Sequence, residues 1–596
     1  MSSRLGLFAP SKHPVLSLRV QAESALPNRT QNQFEVLVRH LVHRFFHNEL
    51  LASDDETKRV MQLAYVVALP TLVVSLYLFP AYHAFPPAPF PRPYWPQVAD
   101  HYFYVMYAFI LMGAATVYEW DLLFPDLLDV FVLSVLPISS RRLFFARVLA
   151  LAIFLALVLL GTSILGTLFF PMITDQPHAG RLFLGHAIAV IMSGTFAAAS
   201  FLALQGVLLN TVGERVFRRI TPILQGGSIM LLLTVLLLYP TLSHSLESLL
   251  TSNISAVRYF PPFWFLGIYE RVVQGPSTPP IFIQLARTAC SALVLMLAAV
   301  LVTYPLAYRR RVRQIIEGAS TLDSPGRATA PFRRLLHAAI LRLPAQRAVF
   351  HFVSQTILRT QRQRVMLALY GGLALSLTVA NMLVFRIAAG HLRPSLLPFG
   401  IRAAVPIMAF WTVIALSSVV SAPIDRRGSW LFGVLIGRPG PGHLAGTRLW
   451  ITLWAVLISV TTVLILRGVS PHEMRTPLIT AGQLFVAIGS SILLADIRLF
   501  SVRTIPFTYL RTSAITDFPL MVLRYFVLFP LFVSIVVQAE RWIEASPAHL
   551  LKTVALISIA HLIFLKTHTQ SVLQTTLETP PGEGDEFPQR LGLRDA

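Results

Sequence analysis

This 596-residue chain predicts an all-α polytopic membrane protein, with about twelve transmembrane helices in two parallel six-helix repeats and both termini cytoplasmic. Three observations carry that reading. Hydrophobic residues make up 55% of the chain and charged residues 13%, a balance that would leave a soluble protein of this size with an apolar surface. Twelve apolar runs are each long enough to cross about 30 Å of hydrocarbon. Arginine is shared unequally between the loops on the two sides.

Residues 1–60 form a cytoplasmic N-terminal segment. Its opening stretch is polar, without the apolar core of a signal peptide, so the first span directs insertion and stays in place. Residues 34–51 alternate apolar and basic residues at helical spacing and predict an amphipathic helix at the membrane surface. His40, His43 and His47 fall on it at metal-compatible spacing, but no acid or cysteine accompanies them, and we read them as interfacial. The first half, 61–308, holds spans near 61–80, 102–118, 143–170, 182–209, 222–239 and 282–306. A basic cytoplasmic linker, 309–364, ends in a second amphipathic segment at 347–364. The second half, 365–566, holds spans near 365–385, 403–422, 447–466, 478–495, 519–538 and 550–566, and a cytoplasmic tail occupies 567–596.

With the N-terminus inside, the five internal cytoplasmic loops carry 25 arginines and the six outer loops 10, as the positive-inside rule requires. The halves also echo one another. Arg59-Val60-Met61 with Tyr65 recurs as Arg364-Val365-Met366 with Tyr370, each after a basic amphipathic segment. Phe217 to Pro222 and Ser501 to Pro506 occupy matching loops. Two parallel halves joined on the inner side account for this most simply.

Between the second and third spans, residues 118–149 carry the acids Glu119, Asp121, Asp126 and Asp129 and then a Pro-Ile-Ser-Ser-Arg-Arg break. Asp126 and Asp129 share one face of a helix whose other faces are apolar, which predicts a short helix lying flat at the surface. Pro137 ends it by disfavouring helical angles at Leu136. Ser139 or Ser140 caps the next helix, and Arg141, Arg142 and Arg147 hold its start at the headgroups. The same residues would also suit an ordinary interfacial loop.

An acid after the second span, a short helix, Leu-Pro-Ile-Ser at 136–139, a basic pair and a further basic residue resemble type-2 ABC transporter permeases. The resemblance implies that this stretch is the coupling region on which a separate ATPase subunit rests. It further implies a permease subunit of an ATP-driven exporter, with ATP and Mg on the partner, present in two copies. Members of that family are usually dimers of six-span units, so this chain resembles both units fused. The counterpart at 425–450 contains Asp425, Arg426, Arg427 and Arg448 but has lost most of the acids, so the docking surface is expected to be asymmetric.

Two outer segments remain. Residues 80–97 are rich in proline and aromatics and predict an extended polyproline-like loop. Residues 255–275 place Tyr259, Phe263, Trp264 and Tyr269 just before the sixth span, where aromatic residues settle at headgroup level. The resemblance implies short outer helices there that shape the exit of a translocation path; an aromatic anchor is the alternative.

Other chemistry is sparse. The single cysteine, Cys290, excludes an internal disulfide and a cysteine metal site, and none of the four lysines follows a glycine as a phosphate-binding loop would need. The chain itself is therefore expected to hold no cofactor, and its partners are an ATPase and membrane lipids. The net charge of +21 is scattered between apolar runs, so nucleic acid is not an expected partner. No Asp or Glu falls inside the spans as bounded above, which argues against an ion-coupled carrier. His186, Gln205, Asn381, Gln483, Arg524 and His561 read as interhelical hydrogen-bond partners or end-of-span charges. No nucleophile–base pair is evident, so the chain is read as a permease rather than an enzyme. The alternative is a membrane scaffold or lipid-handling enzyme, and the expected location is a bacterial inner membrane.

Overall fold

The computed structural model describes residues 33–46, 56–83, 92–120, 138–174, 179–212, 214–251, 259–316, 336–338, 341–388, 391–422, 440–472, 475–500, 502, 506–507 and 518–578. The first half begins with α1 (Gln33–Phe46), α2 (Glu56–Tyr82), α3 (Tyr94–Tyr118), α4 (Ser140–Ile173), α5 (Ala179–Thr211) and α6 (Glu214–Leu237). Three short helices follow, α7 (Tyr239–His244), α8 (Leu246–Thr251) and α9 (Pro261–Gln274), and then the long α10 (Pro280–Ile316). The second half comprises α11 (Pro344–Arg359), α12 (Gln361–Met382), the strands β1 (Leu383–Ala388) and β2 (His391–Leu396), α13 (Pro398–Ser421), α14 (Pro441–Val469), α15 (Pro477–Leu499), α16 (Phe518–Glu544) and α17 (Pro547–Glu578).

Ten of these helices, among the described residues, are long and apolar enough to cross a membrane, which makes this an α-helical multi-pass membrane protein. The other two expected spans are the 27-residue helices α2 and α16. Burial decides which helices are central. In α3 and α13, 78% and 83% of the most apolar window is buried, against 17% in α10 and 0% in α17. A helix apolar all round sits in the middle of a bundle, whereas one whose apolar surface stays exposed faces lipid. The central helices are the second span of each half.

The amphipathic helices are not isolated. Leu37 and Leu41 of α1 are buried in one core with Ala146 and Ala150 of α4 and with Trp120. Val349, Phe350 and Val353 of α11 join Trp450 and Ile451 of α14, and Trp450 Nε1 donates to Ser354 Oγ at 2.8 Å. In both cases the helix before a half packs on that half's third span.

The halves meet along α6 and α12. Ala368, Gly372 and Ser376 recur every fourth residue and so form one small-residue edge, which lets backbones approach. A Cβ on Gly372 would lie 3.1 Å from both Met230 Cα and Leu233 Cδ1. Thr234 Oγ1 and Ser376 Oγ are hydrogen-bonded across the seam at 3.1 Å.

Several boundaries differ from expectation. The helix α2 runs to Tyr82 and α3 starts at Tyr94, so residues 80–82 and 94–97 of the proline-rich stretch are helical rather than extended; residues 84–91 lie outside the described residues. Helix α10 runs on to Ile316 and carries the first arginines of the expected linker, while α17 continues to Glu578, past the expected start of the tail. Charge at the end of an apolar run closed the expected spans, but Arg and Lys are good helix formers and do not end a helix. The loop after α12, expected on the outer side, contains an antiparallel hairpin, paired from Leu383↔Leu396 to Ala388↔His391. Its first strand, Leu-Val-Phe-Arg-Ile-Ala, is rich in β-formers that a search for long apolar runs absorbs into the span.

Candidate functional site

The chemistry of this chain gathers at the helix ends. One end of the bundle carries the N-termini of α4 and α14. The end of α3 and the turn after it are held there by amides from neighbouring helices: Gln205 Nε2 donates to the Trp120 carbonyl at 2.7 Å, and Gln225 Nε2 to that of Val117 at 2.9 Å. Such bonds satisfy carbonyls that a helix C-terminus leaves without an intrahelical donor. Ser139 is the N-cap of α4, its Oγ accepting from the Arg142 amide at 3.4 Å, as expected for one of the two serines.

The expected docking residues divide into three groups. Arg141 and Arg142 are exposed on the first turn of α4. Glu119 and Arg147 are each only 5% exposed, so their side chains are turned into the chain rather than along the outer edge pictured from sequence. Asp121, Asp126, Asp129, Pro137, Asp425, Arg426 and Arg427 lie outside the described residues. Arg448, expected on the second docking loop, is engaged within its own half. Its Nε and Nη2 donate to Asp496 Oδ1 at 2.9 and 2.5 Å, and His561 Nδ1 lies 2.6 Å from Asp496 Oδ2. Asp496 is 1% exposed, and the trio ties α14, α15 and α17 together.

The opposite end is also polar inside. Tyr82 OH donates to Asp100 Oδ2 at 2.8 Å, and Arg92 clasps the same carboxylate through Nε at 2.7 Å and Nη2 at 3.0 Å. Both side chains of the next pair are almost wholly buried: His101 Nδ1 and Glu270 Oε1 are 2.6 Å apart. Gln274 Nε2 donates to the other Glu270 oxygen at 2.6 Å. His101 stacks on Tyr269 with ring centres 4.2 Å apart, and Tyr269 OH lies 3.2 Å from His186 Nδ1.

The aromatic segment therefore differs from a headgroup belt. Tyr259 is 78% exposed, but Phe263 and Tyr269 are in the core and Trp264 packs edge-on to Phe196 at 5.7 Å. The reason is the close crossing of α9 and α10, where a Cβ on Gly267 would come within 2.6 Å of Leu285 Cβ. That approach draws the apolar face of α9 inward.

The expected spans hold no carboxylate within their bounds, but the longer helices that contain them do. Asp100 lies in α3, Asp496 in α15 and Glu540 in α16, all buried. Expected spans stopped at the first charge, whereas the helices carry that charge on an inward face with a partner. The polar residues singled out do largely bridge helices: His186 to Tyr269, Gln205 to Trp120, Gln483 to Glu540 and His561 to Asp496. Asn381 instead donates to Leu377 of its own helix, and the Arg524 side chain lies outside the described residues. Among the described residues no group of three metal-ligating side chains occurs.

Comparison with family models, with curated proteins and with solved structures finds no match to this chain.

Proposed function

We propose that this chain is the permease subunit of an ATP-driven exporter, with two six-span halves lining a path and a separate ATPase docked at the end that carries Ser139 and Arg448. The observation that supports this most is the repeated arrangement of α1 on α4 and α11 on α14. Each amphipathic helix braces the third span of its half beside a segment that resembles a coupling region. Movement imposed on those segments would pass to rigid helices and tilt one half on the other across α6 and α12. Nucleotide and Mg belong to the partner in this reading, in two copies, and the setting is a bacterial inner membrane. Arg141 and Arg142 are the exposed contacts, with Asp121, Asp126 and Asp129 from the intervening segment. The test is a mild-detergent pull-down of the tagged full chain from its native membrane. A stoichiometric ATPase whose recovery falls on charge reversal of Asp126 and Asp129 supports the reading. A preparation without ATPase, even after crosslinking, removes it.

One observation favours a second reading, an ion-coupled carrier: the buried carboxylates Asp100, Asp496 and Glu540 occupy helices of the bundle. Asp100 and Asp496 are matched by Arg92 and Arg448, an arrangement that also serves plain helix packing. Substrate movement that follows an ion gradient in vesicles lacking any ATPase would favour the carrier.

A further inference from the structure

Near the end of α16, Glu540 and Glu544 are one helical turn apart and face α13 and α15. Glu540 is 0% exposed, and the Glu544 side chain is 12% exposed. Arg402 Nη1 donates to Glu544 Oε2 at 2.6 Å, and Gln483 Nε2 reaches Glu540 Oε1 at a long 3.3 Å. The other two oxygens, Glu540 Oε2 and Glu544 Oε1, are buried and accept from no donor among the described residues.

Among the described residues the charges here do not balance. Two carboxylates face one guanidinium, and Glu540 lies within electrostatic reach of both Glu544 and Arg402. Helix α15 contributes the neutral Gln483 and the bare Gly482, where an added Cβ would lie 3.6 Å from Glu544 Cγ. Of the other cationic groups nearby in sequence, Arg541 on α16 and Lys552 on α17 are exposed and His549 on α17 is half-buried. His549 is occupied with Trp542, its ring stacked at 4.1 Å and its Nδ1 2.8 Å from the Trp542 carbonyl. A buried carboxylate with no counter-charge is strongly disfavoured, and among the described residues no second positive charge faces this pair.

We propose that Glu540 and Glu544 together bind one small monovalent cation, a proton or an alkali-metal ion, through the two carboxylate oxygens that no donor among the described residues reaches. The site is a property of this helix packing and stands whether the chain is driven by an ATPase or by an ion gradient.

The test uses the full chain in lipid nanodiscs. Its melting midpoint is followed as Na+ or K+ replaces a large organic cation at constant ionic strength, and its infrared spectrum is searched for the carbonyl band of a protonated carboxyl. An alkali ion at the site raises the midpoint with the logarithm of its concentration, and E540Q abolishes that rise. A proton there gives a midpoint independent of alkali ion and a protonated-carboxyl band that is lost in E540Q. The Gln variant keeps the shape and removes the excess charge, so it is expected to fold. E544Q provides a second reading: it too removes the excess charge, so the alkali-dependent rise is lost or the band at Glu540 is displaced. Wild-type protein showing neither an alkali-dependent midpoint nor a band sensitive to these two substitutions overturns the proposal.

Discussion

Arg448 and Asp496 form a two-donor ion pair, with both guanidinium bonds falling on the same carboxylate oxygen at 2.5 and 2.9 Å. The second oxygen is left for His561. Three helices of the second half are therefore tied at one almost fully buried aspartate. A residue that reads from sequence as part of a docking loop is a structural tie.

Removing that acceptor should be costly. Asp496→Ala leaves a half-buried guanidinium unpaired and is expected to lose about 3–5 kcal/mol, against a smaller loss for Asp496→Ala combined with Arg448→Met, because the buried charge goes too. Thermal unfolding of the two variants in the same detergent gives the comparison, and equal losses would mean that the pair contributes nothing specific.

At the opposite end, the two partners of α9 should separate energetically. Glu270→Ala leaves the buried His101 Nδ1 and the Gln274 amide without their acceptor and is expected to cost about 1–3 kcal/mol. Tyr269→Phe removes only a hydroxyl at 3.2 Å from His186 and should cost about 0.5–1.5 kcal/mol. Melting midpoints of both variants check the order, and a larger effect for the tyrosine would contradict the geometry.

The seam between the halves can be trapped. Thr234 and Ser376 touch at 3.1 Å, and the sole native cysteine, Cys290, is exposed and removable. In a Cys290→Ser background, T234C/S376C should form a disulfide under mild oxidation. After cleavage at a protease site inserted between the halves, the two fragments would then run as one band until reduced.

Gly372→Leu addresses the same seam by bulk. A side chain has no room beside Met230 and Leu233, so over-packing should destabilise the chain by about 1–3 kcal/mol. An unchanged midpoint would show that α6 and α12 separate without cost.

Sidedness follows from arginine bias and can be read directly. With Cys290 removed, a membrane-impermeant thiol reagent should label Tyr259→Cys on intact cells but reach Arg142→Cys only after permeabilisation. Both positions are exposed in the structure. The reverse pattern would invert the orientation.

Much of the architecture was legible in the chain. Apolar run length located the spans, and the alternation in 34–51 and 347–364 anticipated α1 and α11 to within a few residues. Ser139 as a cap was readable because it stands between a proline and an apolar run. Span ends were not. The expected spans end one or two residues short of Asp100, Asp496 and Glu540, since a one-dimensional reading cannot see that a charged side chain has an inward partner. The hairpin after α12 carried a signal of its own, β-branched and aromatic residues before a glycine, which the apolar run concealed.

By itself, the sequence determined class, approximate span number and the expected orientation, because these depend on composition summed along one segment at a time. Tertiary structure decided which polar residues meet. Arg448, Asp496 and His561 are separated by 48 and 65 residues, and His101 and Glu270 by 169. Whether a buried charge is a tie, a border or a binding site depends on what the neighbouring helix presents within about 3 Å, the reach of a hydrogen bond. That distance is set by packing between helices, and no pattern along a single helix contains it.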